Sequence, residues 1–208
     1  MPLNDVWNKV NQQIGFYTID NFDKIPNVPG VYAWFYPLRI TTTIVEDFLD
    51  QVNVVLNYDS NSLGKPMHNT KLLFSWEEIM LSAEVANAKI PISTIRSSWE
   101  SICQSQNFED FRRIIMKSSI FLPPLYVGKS KCLHDRCQQH INGRNSGNNF
   151  NSRFENYARE IPHATSKKVS DLLFVCVKTE ELSESTDDIE GLIETILKYL
   201  AKPKYSKL

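Results

Sequence analysis

The chain lacks any apolar run approaching the ~18 residues that cross a bilayer, so no membrane span is expected in its 208 residues. Its opening stretch, MPLNDVWNKVNQQ, has no basic cluster followed by apolar residues. No signal peptide is therefore expected, and the protein reads as cytoplasmic. The four cysteines, Cys103, Cys132, Cys137 and Cys176, form neither a CxxC pair nor a Cys/His ligand pattern. That argues against a zinc site and favours reduced, buried thiols over disulfides. Internal repeats and low-complexity tracts are absent as well. So is an excess of positive charge: 23 Lys and Arg stand against 24 Asp and Glu. Bulk charge alone does not mark this chain as a nucleic-acid binder.

What is present is an ordinary globular composition, 42% hydrophobic, enough for one domain with a real core and an elaboration. Charge is unevenly distributed. Lys129–Lys168 holds eight Lys or Arg against three acids, and Asp171–Glu194 holds eight acids against one Lys. The first segment can form a basic face that meets phosphates, while the second faces elsewhere or binds a metal.

Hydrophobic periodicity gives an outline. Residues 3–15 read as a short amphipathic helix carrying Val6, Trp7, Val10 and Ile14. Gly30–Pro37 (GVYAWFYP) is aromatic and suits a strand. Ile120–Val127 reads as a second strand whose ladder begins only after Pro123-Pro124, near Leu125. Between them, Thr42–Leu56, Ser75–Ala88, Ser93–Gln104 and Phe108–Lys117 carry apolar residues at helical intervals, which predicts a helical insertion over 38–119. Ser130 is placed to cap a helix over Lys131–Ile141. A further helix is expected over Phe150–Ile161 and a buried strand over Leu172–Val177. A last helix opens at Thr186 or Asp187 and ends at Pro203. Its buried face is expected to carry Ile189, Leu192, Ile193, Ile196, Leu197 and Leu200, with Glu194 about 130° away from that stripe. The outline is α/β of the α+β kind: a small, mainly antiparallel sheet flanked by helices.

Two tripeptides carry the chemistry: Gly30-Val31-Tyr32, and Tyr126-Val127-Gly128 followed by Lys129. Arg136 lies eight residues after Gly128, His140 four after Arg136, and Glu194 nine before Pro203. Hydrolysis of a phosphodiester needs a cation on the phosphoryl oxygen, a base for the attacking water and donors for the developing charge. Guanidinium suits phosphate oxygens. A phenol titrating near 10 acts as a base only beside a cation or strong acceptor. Mg²⁺ keeps most of its water, so one carboxylate can hold it. Glu194 is the candidate ligand, with Glu190 one turn earlier as its competitor.

In this order and spacing the residues resemble the GIY-YIG nuclease superfamily. The similarity covers about 22–37 and 122–206. Gly15-Phe16-Tyr17 is a rival for the first tripeptide. The Pro-Asn-Val-Pro lead-in and the following strand favour Gly30-Val31-Tyr32. Two departures stand out. The tail reads Pro203-Lys204-Tyr205-Ser206, with serine where relatives carry asparagine, and the two tripeptides are separated by the long insertion rather than by about ten residues. Chain closure tolerates such an insertion.

The resemblance implies a metal-dependent endonuclease acting on double-stranded DNA. Glu194 would hold Mg²⁺ or Mn²⁺, Tyr32 or Tyr126 would activate water, and Arg136 would bind the scissile phosphate. His140 and Lys129 would assist. A stand-alone chain with its own insertion resembles a restriction or phage-defence enzyme, with the insertion reading the target, pairing two copies or binding a protein partner. The alternative is a catalytically inactive module of the same fold that binds nucleic acid or protein. Phe16-Tyr17 and Trp34-Phe35-Tyr36 are either base-stacking residues or core. His134 and Asp135 are expected to face solvent.

Overall fold

Gly30–Phe35 forms strand β2, and its run of β-branched and aromatic residues is buried on both faces, as befits the middle of a sheet. The computed structural model describes residues 13–49, 68–73, 78–83, 92–143, 150–160, 164–180, 188–201 and 203. Contacts divide the chain into two compact units, residues 1–39 with 110–208, and residues 40–109.

The first unit holds a four-stranded sheet. Ile14–Tyr17 is β1, Tyr126–Ser130 is β5 and Leu173–Lys178 is β6. Their order is β1-β6-β2-β5 and every pairing is antiparallel. The fold is therefore α+β. Register decides which residues share a face. Tyr32 lies opposite Gly128 and Cys176, and Trp34 opposite Tyr126 and Phe174, so these six share one face. Val31, Ala33, Val127, Lys129, Val175 and Val177 share the other.

Helices α3 (Leu133–Asn142) and α4 (Phe150–Glu160) cover the tyrosine face with Leu133, Cys137, His140, Phe150, Phe154 and Ala158, all buried. Trp34 is the centre of this core. Its ring lies 4.9 Å from Phe174, 6.0 Å from Phe22 and 6.1 Å from Phe150. Trp34, Phe35 and Tyr36 are all buried, so they are core and not a stacking platform for bases. The capping of α3 differs from expectation. Ser130 Oγ folds back on the Cys132 backbone, and the helix begins at Leu133. Its first N–H groups are taken by carbonyls of the proline-flanked lead-in, Leu133 to Val28 at 3.0 Å and His134 to Pro26 at 3.3 Å. Gly143, at φ 64°, closes the other end in the left-handed conformation that glycine adopts cheaply.

Helix α5 (Ile189–Ala201) covers the opposite face. It is rotated from the expected stripe. Ile193, Leu197 and Ala201 line a groove with Val31, Ala33, Phe35 and Val127, Leu197 at its exposed rim, while Leu192, Ile196, Tyr199 and Leu200 are exposed outside it. The cap explains the setting. Asp188 accepts the Gly191 N–H at 3.0 Å and its carbonyl takes the Leu192 N–H, so the helix opens one or two residues later than expected and is tethered to β5 through Lys129. The rotation brings Glu194 to the flank of the packed face.

In the second unit residues 45–49 are helical. Trp99, on α1 (Ile92–Cys103), donates from Nε1 to the Thr43 carbonyl at 2.9 Å and stacks on Phe48 at 5.1 Å. The helix α2 (Phe108–Lys117) follows, with residues 110–117 in the first unit. The expected helix over Ser75–Ala88 is corrected. His68–Leu73 (β3) and Glu78–Ala83 (β4) pair antiparallel, with Leu73 opposite Glu78. A short apolar run such as Ile79–Leu81 fits both periods, and pairing decides it. The insertion is thus mixed rather than helical. The expected helix over 3–15 also gives way to strand at Ile14, and its residues 1–12 lie outside the described residues, as do 50–56 of Thr42–Leu56 and Thr186, Asp187 and Ser206. Among the described residues no helix is long and apolar enough to cross a membrane. All four cysteines are free, Cys137 and Cys176 buried, Cys103 and Cys132 partly exposed. Burial pushes the Cys137 thiol up to about 12 and that of Cys176 up to about 11, so neither is a nucleophile at neutral pH.

Candidate active site

Tyr32 can occupy the centre of the tyrosine face because its neighbour across the ladder is a glycine. A β-carbon on Gly128 would stand 2.5 Å from Tyr32 Oη and 2.9 Å from the Tyr126 ring. The Tyr32 ring lies 5.2 Å from Phe174 and 6.1 Å from Tyr126, stacked on both. Its hydroxyl is fixed from two sides. Arg136 Nε donates to it at 3.0 Å, and His140 Nε2 lies 2.7 Å away. Arg136 and His140 are four residues apart on α3 and so share a helix face. The His140 ring lies 5.3 Å from Tyr126, edge-on. Four of the expected site residues, Tyr32, Tyr126, Arg136 and His140, thus meet in one cluster.

Burial and charge set the protonation states. Burial first, then Arg136 and Arg153, pushes the His140 imidazole down to about 3. His140 is neutral at neutral pH, so it is not a general acid poised near 7. Burial, then the Tyr126 phenol, raises Tyr32 well above the ordinary phenol value, against the opposing Arg136 charge. With Arg136 donating into the phenol oxygen, the network assigns the Tyr32 hydrogen to His140 Nε2. Tyr32 is 2% exposed. It positions Arg136 and is sealed from the water a base would need to reach. Tyr126 is half-buried and remains the accessible phenol. A second Arg136 nitrogen donates to Gln139 Oε1 at 3.0 Å, and among the described residues no carboxylate pairs with Arg136.

Lys129 and Glu194 belong to the other side. Lys129 points to the α5 face and pairs with Asp188. That contact needs Gly191, where a β-carbon would strike both partners. The bond to Asp188 raises the Lys129 ammonium above its usual value, with Glu194 and Glu190 adding to the effect. Glu194 Oε1 accepts from Lys198 Nζ at 2.9 Å, and its side chain is 16% exposed. Glu190 is engaged elsewhere, accepting from Thr179 Oγ1 at 2.5 Å. β5 is the edge strand, so that one strand separates the arginine–tyrosine cluster from the Lys129–Glu194 group. His134 and Asp135 form a surface pair at 3.5 Å. Asp188 escaped the sequence reading, although an aspartate three residues before a helical glycine is a cap signal that could have found it.

A metal test follows from the donors. Among the described residues no three His, Cys, Asp or Glu side chains converge on one point, so they form no closed protein cage. Glu194 keeps one oxygen with no partner among the described residues, and acidic neighbours share its surroundings. Such a donor set fits a hard, largely hydrated ion such as Mg²⁺.

Gly128 offers a direct check of this packing. Tyr32 is held by two hydrogen bonds and cannot swing aside cheaply, so Gly128→Ala is expected to destabilise the fold by about 1–3 kcal/mol. Urea unfolding with unchanged m-value would measure it. A neutral result would mean that the phenol is not seated against the strand.

Comparison with protein families, with curated proteins and with solved structures finds no match to this chain.

Proposed function

We propose that the protein is a metal-dependent endonuclease of GIY-YIG type that hydrolyses phosphodiester bonds of double-stranded DNA. The observation that carries the reading is the convergence of Arg136, Tyr126 and neutral His140 on Tyr32, side chains that the motif spacing joins and that are 104 and 108 residues from Tyr32 in the two hydrogen-bonded cases. A backbone phosphate arriving at the β5 edge would meet the Arg136 guanidinium and the Tyr126 phenol from one face, and Lys129 from the other. Arg136 neutralises charge on the phosphate oxygens. Tyr32 and His140 hold that guanidinium in place. Tyr126 is the phenol that water can reach, and as a phenolate it would take the proton of the attacking water. Glu194 would hold Mg²⁺ or Mn²⁺, which when bound polarises the phosphoryl oxygen and supports the leaving group. A role in restriction or phage defence extends the same proposal.

The deciding experiment is cleavage of plasmid DNA with Mn²⁺, with Mg²⁺ and with EDTA. Glu194→Gln is expected to abolish metal-dependent cleavage, whereas Glu190→Gln is expected to retain it. Cleavage undiminished in Glu194→Gln would remove that carboxylate as the metal ligand. A second reading, a binding module that does not cut, is favoured by one observation: Lys198 and Asp188 already engage Glu194 and Lys129. Wild-type protein that binds DNA and never nicks it, in either metal, would establish that reading instead.

A further inference from the structure

We infer that Arg153, on α4, is a second phosphate-binding cation that works with Arg136 as a two-arginine cradle on the tyrosine face. The inference deepens the proposed phosphodiesterase site and rests on that reading for its natural ligand. Phe150 and Arg153 are three residues apart on one helix and so share a face. Phe150 touches the cluster itself, its ring 4.9 Å from Tyr126 and 5.5 Å from His140. The Arg153 and Arg136 charges both act on His140.

What sets Arg153 apart is a buried donor with no acceptor among the described residues. Its Nε is buried without a hydrogen-bond partner, and among the described residues no carboxylate pairs with it. Among the described residues the one other buried polar side-chain atom left unpartnered is Trp34 Nε1, and that ring packs edge-on to His140 at 6.0 Å. Both orphans are donors, one sealed in the core beside the imidazole and the other on a side chain whose charge the imidazole feels. A guanidinium kept for packing alone would be satisfied by a carbonyl or a carboxylate, because leaving a buried charged donor unmade costs several kcal/mol. Two cations beside a neutral histidine, with no carboxylate pairing with either among the described residues, make a site short of one anion. Phosphate oxygens match guanidinium donors in charge and paired geometry.

The test measures binding without cleavage. Affinity for a labelled DNA duplex in EDTA is read by fluorescence anisotropy across a range of salt, for wild type, Arg153→Gln and Arg153→Lys. Inorganic phosphate is titrated in parallel by calorimetry, with Arg136→Gln added. Thermal melts check that each variant is folded. Arg153→Gln is expected to bind duplex about tenfold more weakly, with the slope of log affinity against log salt reduced by about 0.9, the contribution of one phosphate contact. Arg153→Lys is expected to keep the slope and lose part of the affinity, so the prediction survives should the glutamine variant fail to fold. Duplex binding with unchanged affinity and slope in Arg153→Gln overturns the inference and leaves the nuclease reading standing. Phosphate binding that depends on both arginines, without any duplex binding, upholds the cradle and removes the nuclease. Wild-type protein that binds neither ligand overturns the cradle.

Discussion

Arg136→Gln is expected to lower DNA cleavage by about 10²–10³-fold while the protein stays folded, the loss typical of removing one charge-stabilising donor from a hydrolytic site. The guanidinium has two tasks. Its Nε fixes the Tyr32 hydroxyl at 3.0 Å, and the guanidinium also bonds Gln139 and the Tyr126 phenol, partners that an arriving phosphate would replace. Glutamine supplies neither the charge nor the reach. Arg136→Lys restores the charge, yet one ammonium cannot hold the phenol and a phosphate together, so it is expected to recover less than a tenth of wild-type activity. The rates are read from the conversion of supercoiled plasmid to open-circle and linear forms at saturating Mn²⁺. Circular dichroism would confirm the fold. Wild-type rates in Arg136→Gln would take the guanidinium out of the chemistry and leave the tyrosine cluster as packing.

The cluster was legible in the sequence because its parts come from local patterns. Arg136 and His140 share a face of any helix that contains both, and Gly-Val-Tyr and Tyr-Val-Gly set two phenols on paired strands. What stayed hidden depends on tertiary choices. Strand alternation puts Lys129 on the face opposite Tyr126 and Gly128, a fact invisible until the register is known. The rotation of α5 was misread because Leu192, Ile196 and Leu200 continue an apolar stripe that the fold leaves exposed. The Asp188 cap and its tie to Lys129 set that rotation, and apolar counting cannot register them. β1 and the β3–β4 pair were missed for a related reason: four to six residues are too few for a period to show, and a partner strand makes the assignment. Arg153 was only one more charge in a basic stretch until the orphaned nitrogen singled it out.

His140 gives the molecule a pH dependence that can be measured without any substrate. In the fold its imidazole is pushed down to about 3 by burial, by Arg136 and by Arg153, while in the unfolded chain it titrates near 6.5. The unfolded state therefore binds the extra proton first as pH falls, which favours unfolding. The stabilising contribution is fully present above about 6.5. Between about 6.5 and 3 it is lost, at a limiting slope of about 1.4 kcal/mol per pH unit. His140→Gln removes the titration and keeps an acceptor for the Tyr32 hydroxyl. That variant is expected to be less stable than wild type at pH 7.5, through lost packing against Phe150 and Tyr126, and to have a flatter stability profile between pH 6.5 and 4. The two curves should approach one another on the acid side. Urea unfolding at half-unit steps of pH would trace both. Parallel curves would mean that His140 takes up its proton in the fold at the same pH as in the unfolded chain. The Tyr32 hydroxyl would then lose its imidazole acceptor below that pH, and the arrangement that holds Arg136 would need to be redrawn.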